Sequence, residues 1–319
     1  MQQIINGTQF TDTDGNPVHA HGGGLVEADG FHYWFGEDRH PDNTFRSVLA
    51  YRSVDLVTWE FRGPVLTQES DPELRDANIE RPKVIRNPVT GQFVLWMHKE
   101  AVGHYREARA AVAVSDTPDG PYTYRGSFRP LGHMSRDLTV HRDTDGTGYL
   151  ISAANDNEDL HVYRLTDDYL GAAELVRVLW AGLSREAPAV FRRGGVYFLL
   201  TSGCSGWRPN QQRYATADAI DGEWSELRDF GDATTYASQT AYALAVPRAG
   251  GAGAGADSGD GAGVDHLYLG DRWAANWDEP VNASRYVWLP LTFPTPRTLS
   301  MAWSDKVAID VTDGTARPL

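Results

Sequence analysis

Residues 24–35 read Gly24-Leu-Val-Glu-Ala-Asp-Gly-Phe-His-Tyr-Trp-Phe35: an apolar run, an Asp29-Gly30 pair and an aromatic-rich run. Asp-Gly between two such runs signals a β-hairpin, because tight hairpin turns need residues that accept positive φ. The pattern recurs along the chain. Lys83-Val-Ile-Arg86 leads through the turn Asn87-Pro-Val-Thr-Gly91 into Gln92-Phe-Val-Leu-Trp-Met97, and Leu138-Thr-Val-His-Arg142 leads through Asp143-Thr-Asp-Gly146 into Thr147-Gly-Tyr-Leu-Ile151. Ala187-Pro-Ala-Val-Phe191, Arg192-Arg-Gly-Gly195 and Val196-Tyr-Phe-Leu-Leu200 make the fourth unit. In the fifth, Ala241-Tyr-Ala-Leu-Ala-Val246 is separated from Asp265-His-Leu-Tyr-Leu-Gly270 by the Gly/Ala-rich stretch 249–263. That stretch can bury no apolar surface and is expected to be a flexible loop.

Most units continue into a third apolar strand and a polar turn, as in Ser47-Val-Leu-Ala-Tyr-Arg-Ser53 and Ala110-Ala-Val-Ala-Val-Ser115. Five units in 319 residues give about 64 residues each, room for three or four strands and generous loops. An all-β, five-bladed β-propeller over residues 1–319, as one domain, is therefore expected. The competing β-sandwich has no need to repeat one hairpin at similar spacing. The excess of turn formers (32 Gly, 17 Pro) and of aromatics (10 Trp, 14 Tyr) fits many short strands. The C-terminal Leu299-Ser-Met-Ala-Trp-Ser304 and Val307-Ala-Ile-Asp-Val311 are expected to close the ring with the N-terminal segment, and Pro290-Leu-Thr-Phe-Pro-Thr-Pro296 to be a covering loop.

Charge narrows the partner. Asp and Glu number 43 against 29 Lys and Arg, a net charge of −14, which disfavours nucleic acid and anionic lipid and favours a neutral ligand. No window approaches the length of a membrane span. A single cysteine, Cys204, excludes an intrachain disulfide and a thiolate zinc cluster. The opening Met1-Gln-Gln-Ile-Ile-Asn-Gly7 has neither the basic segment nor the apolar run of a signal peptide, so a cytoplasmic location is expected, or secretion if a leader has been removed.

In a propeller the first strand of each blade lines the axis, and the residue just before it lies at the mouth of the channel. Counted back from the turns, those residues are Gly23, Glu80, Asp137, Glu186 and Gln239, three of them beside an arginine: Arg81, Arg136 and Arg185. Carboxylates gathered in a partly dry pocket repel one another, which keeps at least one protonated near neutral pH, as a general acid requires. A glycosidic bond needs such an acid for its leaving oxygen, a second group to deliver water, and aromatic platforms for the apolar face of the sugar. Trp34, Trp96, Trp207 and Trp273 are the platform candidates. The structural alternative is that each carboxylate is a paired strand-end charge and each tryptophan is packing between blades. His19, His21, His98 and His133 have no compact ligand spacing and are read as core or rim histidines, with no metal.

Six stretches together resemble glycoside hydrolase family 43, and most closely its exo-β-1,3-galactanase branch: His19-Ala-His-Gly-Gly-Gly24, Tyr33-Trp-Phe-Gly-Glu37, Ile79-Glu-Arg-Pro-Lys-Val84, Ser135-Arg-Asp-Leu-Thr139, Arg185-Glu-Ala-Pro-Ala-Val190 and Thr201-Ser-Gly-Cys-Ser-Gly-Trp207. The resemblance implies a five-bladed propeller, no organic cofactor, and inverting release of galactose from the non-reducing end of β-1,3-linked galactose oligo- or polysaccharides, and the chain is then expected to be one catalytic domain without a carbohydrate-binding module. By motif, Glu186 resembles the general acid and Asp137 the aspartate that tunes it. The aspartate base that most of the family carries in the first blade is missing, since the stretch reads His21-Gly-Gly23. In the galactanase branch a glutamine or glutamate elsewhere stands in, and Gln239 in Ala237-Ser-Gln-Thr240 matches. A neutral amide is a poor base, so Gln239 is expected to orient the water, with base assistance through its imidic acid form or through Glu80 left open. Glu37 and Glu80 resemble sugar-hydroxyl ligands, Tyr105 and Trp207 residues shaping the galactose subsite, and Asn157 and Trp273 complete the expected substrate contacts. Other family activities, α-L-arabinofuranosidase or β-xylosidase, are disfavoured by the missing aspartate. A sugar-binding propeller without catalysis is disfavoured by the retained Glu186 and Asp137.

Overall fold

The computed structural model describes residues 2–248 and 263–319. Strand β1 (Gln2–Ile5) comes first. The first four-stranded sheet then runs β2 (His21–Ala28), β3 (Phe31–Arg39), β4 (Phe45–Ser53) and β5 (Glu60–Thr67). The second is β6 (Ala77–Arg86), β7 (Phe93–Ala101), β8 (Arg109–Ser115) and β9 (Thr123–Phe128). The third is β10 (Leu138–Arg142), β11 (Gly148–Ala154), β12 (Asp159–Leu165) and β13 (Ala172–Leu179). The fourth is β14 (Arg185–Arg193), β15 (Val196–Gly203), β16 (Arg213–Ala217) and β17 (Arg228–Asp229). The fifth is β18 (Gln239–Ala245), β19 (His266–Arg272), β20 (Arg285–Thr295) and β21 (Thr298–Met301). Each is an antiparallel meander in chain order, and β2, β6, β10, β14 and β18 touch one another around the axis.

A sixth sheet exists that the sequence reading does not contain. β22 (Lys306–Asp310) pairs on one side with β1, Gln2 opposite Ile309, and on the other with β23 (Thr315–Pro318). The expectation of five blades is therefore corrected: among the described residues the propeller is built of six sheets, five four-stranded and one three-stranded. Repeat counting misses the sixth because its strands come from opposite chain ends and contain no run–turn–aromatic hairpin. The two ends do meet, as expected of Val307–Val311, in the β1–β22 pair, whereas Leu299–Met301 falls in β21, the outer strand of the fifth sheet. The stretch Pro290–Pro296, expected as a loop, lies largely within β20, where a bulge between Thr292 and Thr295 accommodates Pro294. The expected flexible loop at 249–263 falls outside the described residues apart from Gly263.

The inner strands are apolar on both faces because each sheet is covered on both sides. β11 is buried throughout, whereas the outermost β9 has only exposed and half-buried positions. Neighbouring sheets share a core, such as Val26, Phe35, Val84 and Leu95 between the first and second. Ile4, Val307 and Ile309 of the sixth sheet join Trp34, Leu244 and Trp288 in the core between the fifth and first. Trp34 and Trp96 are thus packing residues, at 3% and 0% exposure, and not sugar platforms. Among the described residues no helix is long and apolar enough to cross a membrane.

Candidate active site

In four of the five four-stranded sheets a β-bulge lies at the mouth end of the first strand; the third, behind Asp137, has none. Glu80 opposes His98 while Lys83 opposes Trp96, so β6 carries one extra residue there. The same slip separates Glu186 opposite Ser202 from Ala189 opposite Leu200, His21 opposite Glu37 from Gly24 opposite Phe35, and Thr240 opposite Gly270 from Tyr242 opposite Leu269. A bulge bends its strand and re-aims a side chain, here at the axis end of the sheet. In three cases the following residue has positive φ: Gly22 at 61°, Arg81 at 54° and Ala187 at 50°. Pro82 and Pro188 come next, where a bulge leaves an N–H without a ladder partner and a proline has none to lose.

The bulges correct the counting. The first-sheet counterpart of Glu80 and Glu186 is His21, not Gly23. His21 turns away from the cavity, with Nδ1 3.0 Å from Asp271 Oδ1 and its ring stacked on Tyr286. A Cβ on Gly23 would lie 1.6 Å from the Phe35 carbonyl oxygen, and one on Gly22 would lie 2.4 Å from Glu37 Oε1. No side chain fits at Gly23, and Glu37 from the second strand fills the space beside Gly22.

A cavity of about 370 Å³ opens at this mouth, and all nine expected site residues line it: Glu37, Glu80, Tyr105, Asp137, Asn157, Glu186, Trp207, Gln239 and Trp273. Glu186 is at the centre of its hydrogen bonding. Asn157 Nδ2 donates to Glu186 Oε2 at 3.1 Å and Gln239 Nε2 donates to Oε1 at 3.0 Å. Burial, and after it the Asp137 charge, push the Glu186 carboxyl up to about 7, against the pull of Arg81. Asp137 is held by Arg81 Nη2 at 3.1 Å and by the Ala187 backbone N–H, also at 3.1 Å. Asn157 ends a run of three left-handed residues, Asn155, Asp156 and Asn157, with φ of 49°, 57° and 68°. Asn and Asp tolerate that region better than other side chains.

Gln239 makes four hydrogen bonds. Its Oε1 accepts from Arg81 Nη2 at 2.6 Å and from Trp273 Nε1 at 2.7 Å, while Nε2 donates to Glu186 and, at 2.9 Å, to Ser202 Oγ. Arginine and indole can only donate, which fixes the orientation of the amide. Gln239 therefore stands against the Glu186 carboxyl at 3.0 Å, far closer than the roughly 6.5–9.5 Å that separates acid and water-activating group in inverting enzymes.

The other half of the cavity is an ion network. Arg39 donates to Glu37 Oε2 from Nε at 3.0 Å and from Nη2 at 2.6 Å, and reaches Glu80 Oε1 at 3.2 Å. Glu37 Oε1 accepts from the Arg81 backbone N–H at 2.9 Å, and burial pushes its carboxyl above the usual range. Glu80 also accepts from Tyr105 Oη at 2.8 Å. Burial pushes Glu80 up, but His98, Arg39 and Tyr105 outweigh it and hold the carboxyl well below the usual range. His98 lies 3.0 Å from Glu100 and 3.3 Å from Glu80. Burial works against its charge, yet the two carboxylates raise it to about 9. Ligand atoms of Glu80, His98 and Asp137 lie within 4.8 Å of one another, close enough for a metal. The donor set fits one poorly: Arg39 and Arg81 already face the carboxylates, and the imidazole is held protonated.

Sequence reasoning missed Arg39, Arg81, Arg136, His98 and Cys204 as wall residues. Arg39 was legible as the i+2 neighbour of Glu37 on one strand face. Arg81 and Arg136 adjoin carboxylates already singled out. His98 opposes Glu80 across the bulge and needed the register. Burial, and after it the Glu186 charge, push the Cys204 thiol up to about 12, which leaves it protonated beside Glu186.

No curated protein matches the chain by sequence. The sequence profile described as Glycosyl hydrolases family 43 matches residues 28–241. Among solved structures, an exo-β-1,3-galactanase from Clostridium thermocellum is 48% identical, with 99% of this chain and 68% of that one covered at a TM-score of 0.93. An exo-β-1,3-galactanase from Phanerochaete chrysosporium, determined with β-1,3-galactotriose, is 33% identical over 100% of this chain and 71% of its own, TM-score 0.90. A family 43 β-1,3-galactosidase with galactodeoxynojirimycin is 33% identical over 95% and 99%, TM-score 0.84. A profile match across most of the chain and a relative 48% identical over nearly all of it agree with the motifs at the propeller mouth, and on that ground the chain belongs to glycosyl hydrolases family 43.

Proposed function

We propose that this protein is an exo-acting, inverting glycoside hydrolase that releases galactose from the non-reducing end of β-1,3-linked galactans or their oligosaccharides. The observation that carries the reading is Glu186, a carboxyl pushed up to about 7 beside Asp137 in a small cavity of about 370 Å³. That volume is near the lower bound of ligand pockets, and suits a chain end more than a passing polymer. Glu186 protonates the glycosidic oxygen as the bond breaks, and burial, with the Asp137 charge second to it, leaves a share of that carboxyl protonated near neutral pH. Galactose lies among Glu37, Glu80, Tyr105, Asn157, Trp207 and Trp273. The relatives' substrates, and the shared family, support galactose as the sugar.

The hydrogen bonds of Gln239 bear on the water. Its Oε1 faces two groups that only donate, so an imidic acid O–H at that oxygen has no acceptor. Glu80 is ionised at the cavity wall, but the contacts from His98, Arg39 and Tyr105 that hold its carboxyl below the usual range also make it a weak base. Gln239 is read as the group that fixes the Glu186 carboxyl.

Purified protein incubated with β-1,3-galactobiose, arabino-oligosaccharides and xylo-oligosaccharides tests the function. Galactose is expected from the first alone. Release of arabinose or xylose at comparable rates would replace the reading with another family activity. Glu186→Gln is expected to lose turnover by about 10²–10⁴-fold while galactobiose still binds.

A further inference from the structure

His98 lines the cavity yet has no part in the chemistry above, although its ring is almost wholly buried, at 1% exposure. It stands on β7 directly opposite Glu80. Nε2 lies 3.0 Å from Glu100 Oε1, and Glu100 is itself fixed from behind, accepting the Glu107 backbone N–H at 2.8 Å and that of Ala108 at 3.0 Å. On the other side Nδ1 lies 3.3 Å from Glu80 Oε2 and 4.0 Å from Asp137 Oδ1, and among the described residues it forms a well-aligned hydrogen bond with neither. The two carboxylates are arranged alike around it. Glu80 uses Oε1 to accept from Arg39 and Tyr105, and Asp137 uses Oδ2 to accept from Arg81 and the Ala187 N–H, so each turns its other oxygen to Nδ1. The remaining neighbours are the Tyr105 ring, 6.0 Å from the imidazole, and Arg136, whose Nε stands 4.0 Å from Glu100.

The groups at both ring nitrogens are carboxylates, which only accept, so both nitrogens carry a hydrogen and the ring is an imidazolium. Oxygen atoms of Glu80 and Asp137 lie within 4.8 Å of one another, and like charges that close in a partly dry wall favour protonation of one of them. A cation facing both removes that cost. Burial pushes the Glu80 carboxyl up, and His98 heads the groups that outweigh it. Resting on the hydrolase reading above, we propose that His98 is a positioning residue of the active site: an imidazolium anchored on Glu100 that stands between Glu80 and Asp137 and holds Glu80 ionised, aimed at the hydroxyls of the bound sugar.

Two measurements test the role. In the full chain labelled with ¹⁵N-histidine, long-range ¹⁵N–¹H spectra are expected to show both His98 ring nitrogens carrying a hydrogen at pH 7.5, since the ring is raised to about 9. The signals are assigned by difference from His98→Gln or, should that variant not fold, His98→Asn. A neutral ring at that pH overturns the proposal. The second measurement is kcat/KM on β-1,3-galactobiose between pH 7 and pH 5. His98→Gln brings no charge to Glu80, so the ratio of variant to wild type is expected to fall by about five- to tenfold on that descent, as the uncompensated Glu80 takes up a proton. A role confined to packing lowers activity equally at every pH, and a ratio that stays constant or rises overturns the proposal. Failure of the wild-type protein to release galactose overturns the hydrolase reading instead, and the spectra then decide the state of His98 alone.

Discussion

Glu186 can act as an acid only while it holds its proton, and its carboxyl is set at about 7 by burial first and Asp137 second. The kcat/KM of the enzyme on galactobiose is therefore expected to fall as pH rises through about 7, since that ratio reports the free enzyme. Asp137→Asn removes a negative charge that raises Glu186, so its descending limb should move to lower pH, with lower activity throughout. An unmoved limb in the variant would show that Asp137 does not set the acid. Gly23 gives a second prediction. Gly23→Asp is expected to fold poorly and not to supply a base, because its Cβ would lie 1.6 Å from the Phe35 carbonyl oxygen, and a thermal melt reads the loss. At this scale much was legible: Glu80, Asp137, Glu186 and Gln239 stand out as polar residues in register, and all line the cavity. What the sequence could not carry is the hydrogen bonding of Gln239, because Arg81 and Trp273 reach it from the second and fifth sheets.

The five hairpins were readable as elements because each joins an apolar run to an aromatic one through a turn whose chemistry is local. The bulges were half readable. Glu80-Arg81-Pro82 and Glu186-Ala187-Pro188 repeat one Glu-x-Pro signal at one place in two sheets, whereas the slip at His21 hides behind three glycines and shifted the count to Gly23. The sixth sheet was not readable, because the pairing of β1 with β22 joins residues some 300 positions apart with no turn between them. Its weight can be measured. Ile309 is 4% exposed in the core shared with Trp34 and Trp288, so Ile309→Ala should cost about 2–5 kcal/mol in urea unfolding. Galactose release by the folded variant should be unchanged, since Ile309 does not line the cavity. A cost below about 0.5 kcal/mol would mean that the terminal sheet is ornamental to the propeller.

For the whole molecule, buried histidines set an acid limit. His32, His141 and His266 are each pushed down to about 4, by burial above all. Their folded values lie below the unfolded value of about 6.5, so the unfolded chain binds more protons between those limits and stability falls as pH drops through the window. The slope is about 1.4 kcal/mol per pH unit for each histidine. His98 works in the opposite sense: held at about 9, it contributes fully below about 6.5 and loses its contribution as pH rises through about 9. Urea midpoints at pH 5 and pH 7 should differ, with the lower value at pH 5; equal midpoints would contradict the buried neutral state. The central claim joins this scaffold to one reaction, the removal of a terminal galactose with inversion under the acid Glu186. Proton NMR of β-1,3-galactotriose during the first turnovers tests it most directly. The account predicts α-galactose together with the disaccharide as the initial products, and β-galactose as the first-formed anomer, or no galactose at all, would contradict it.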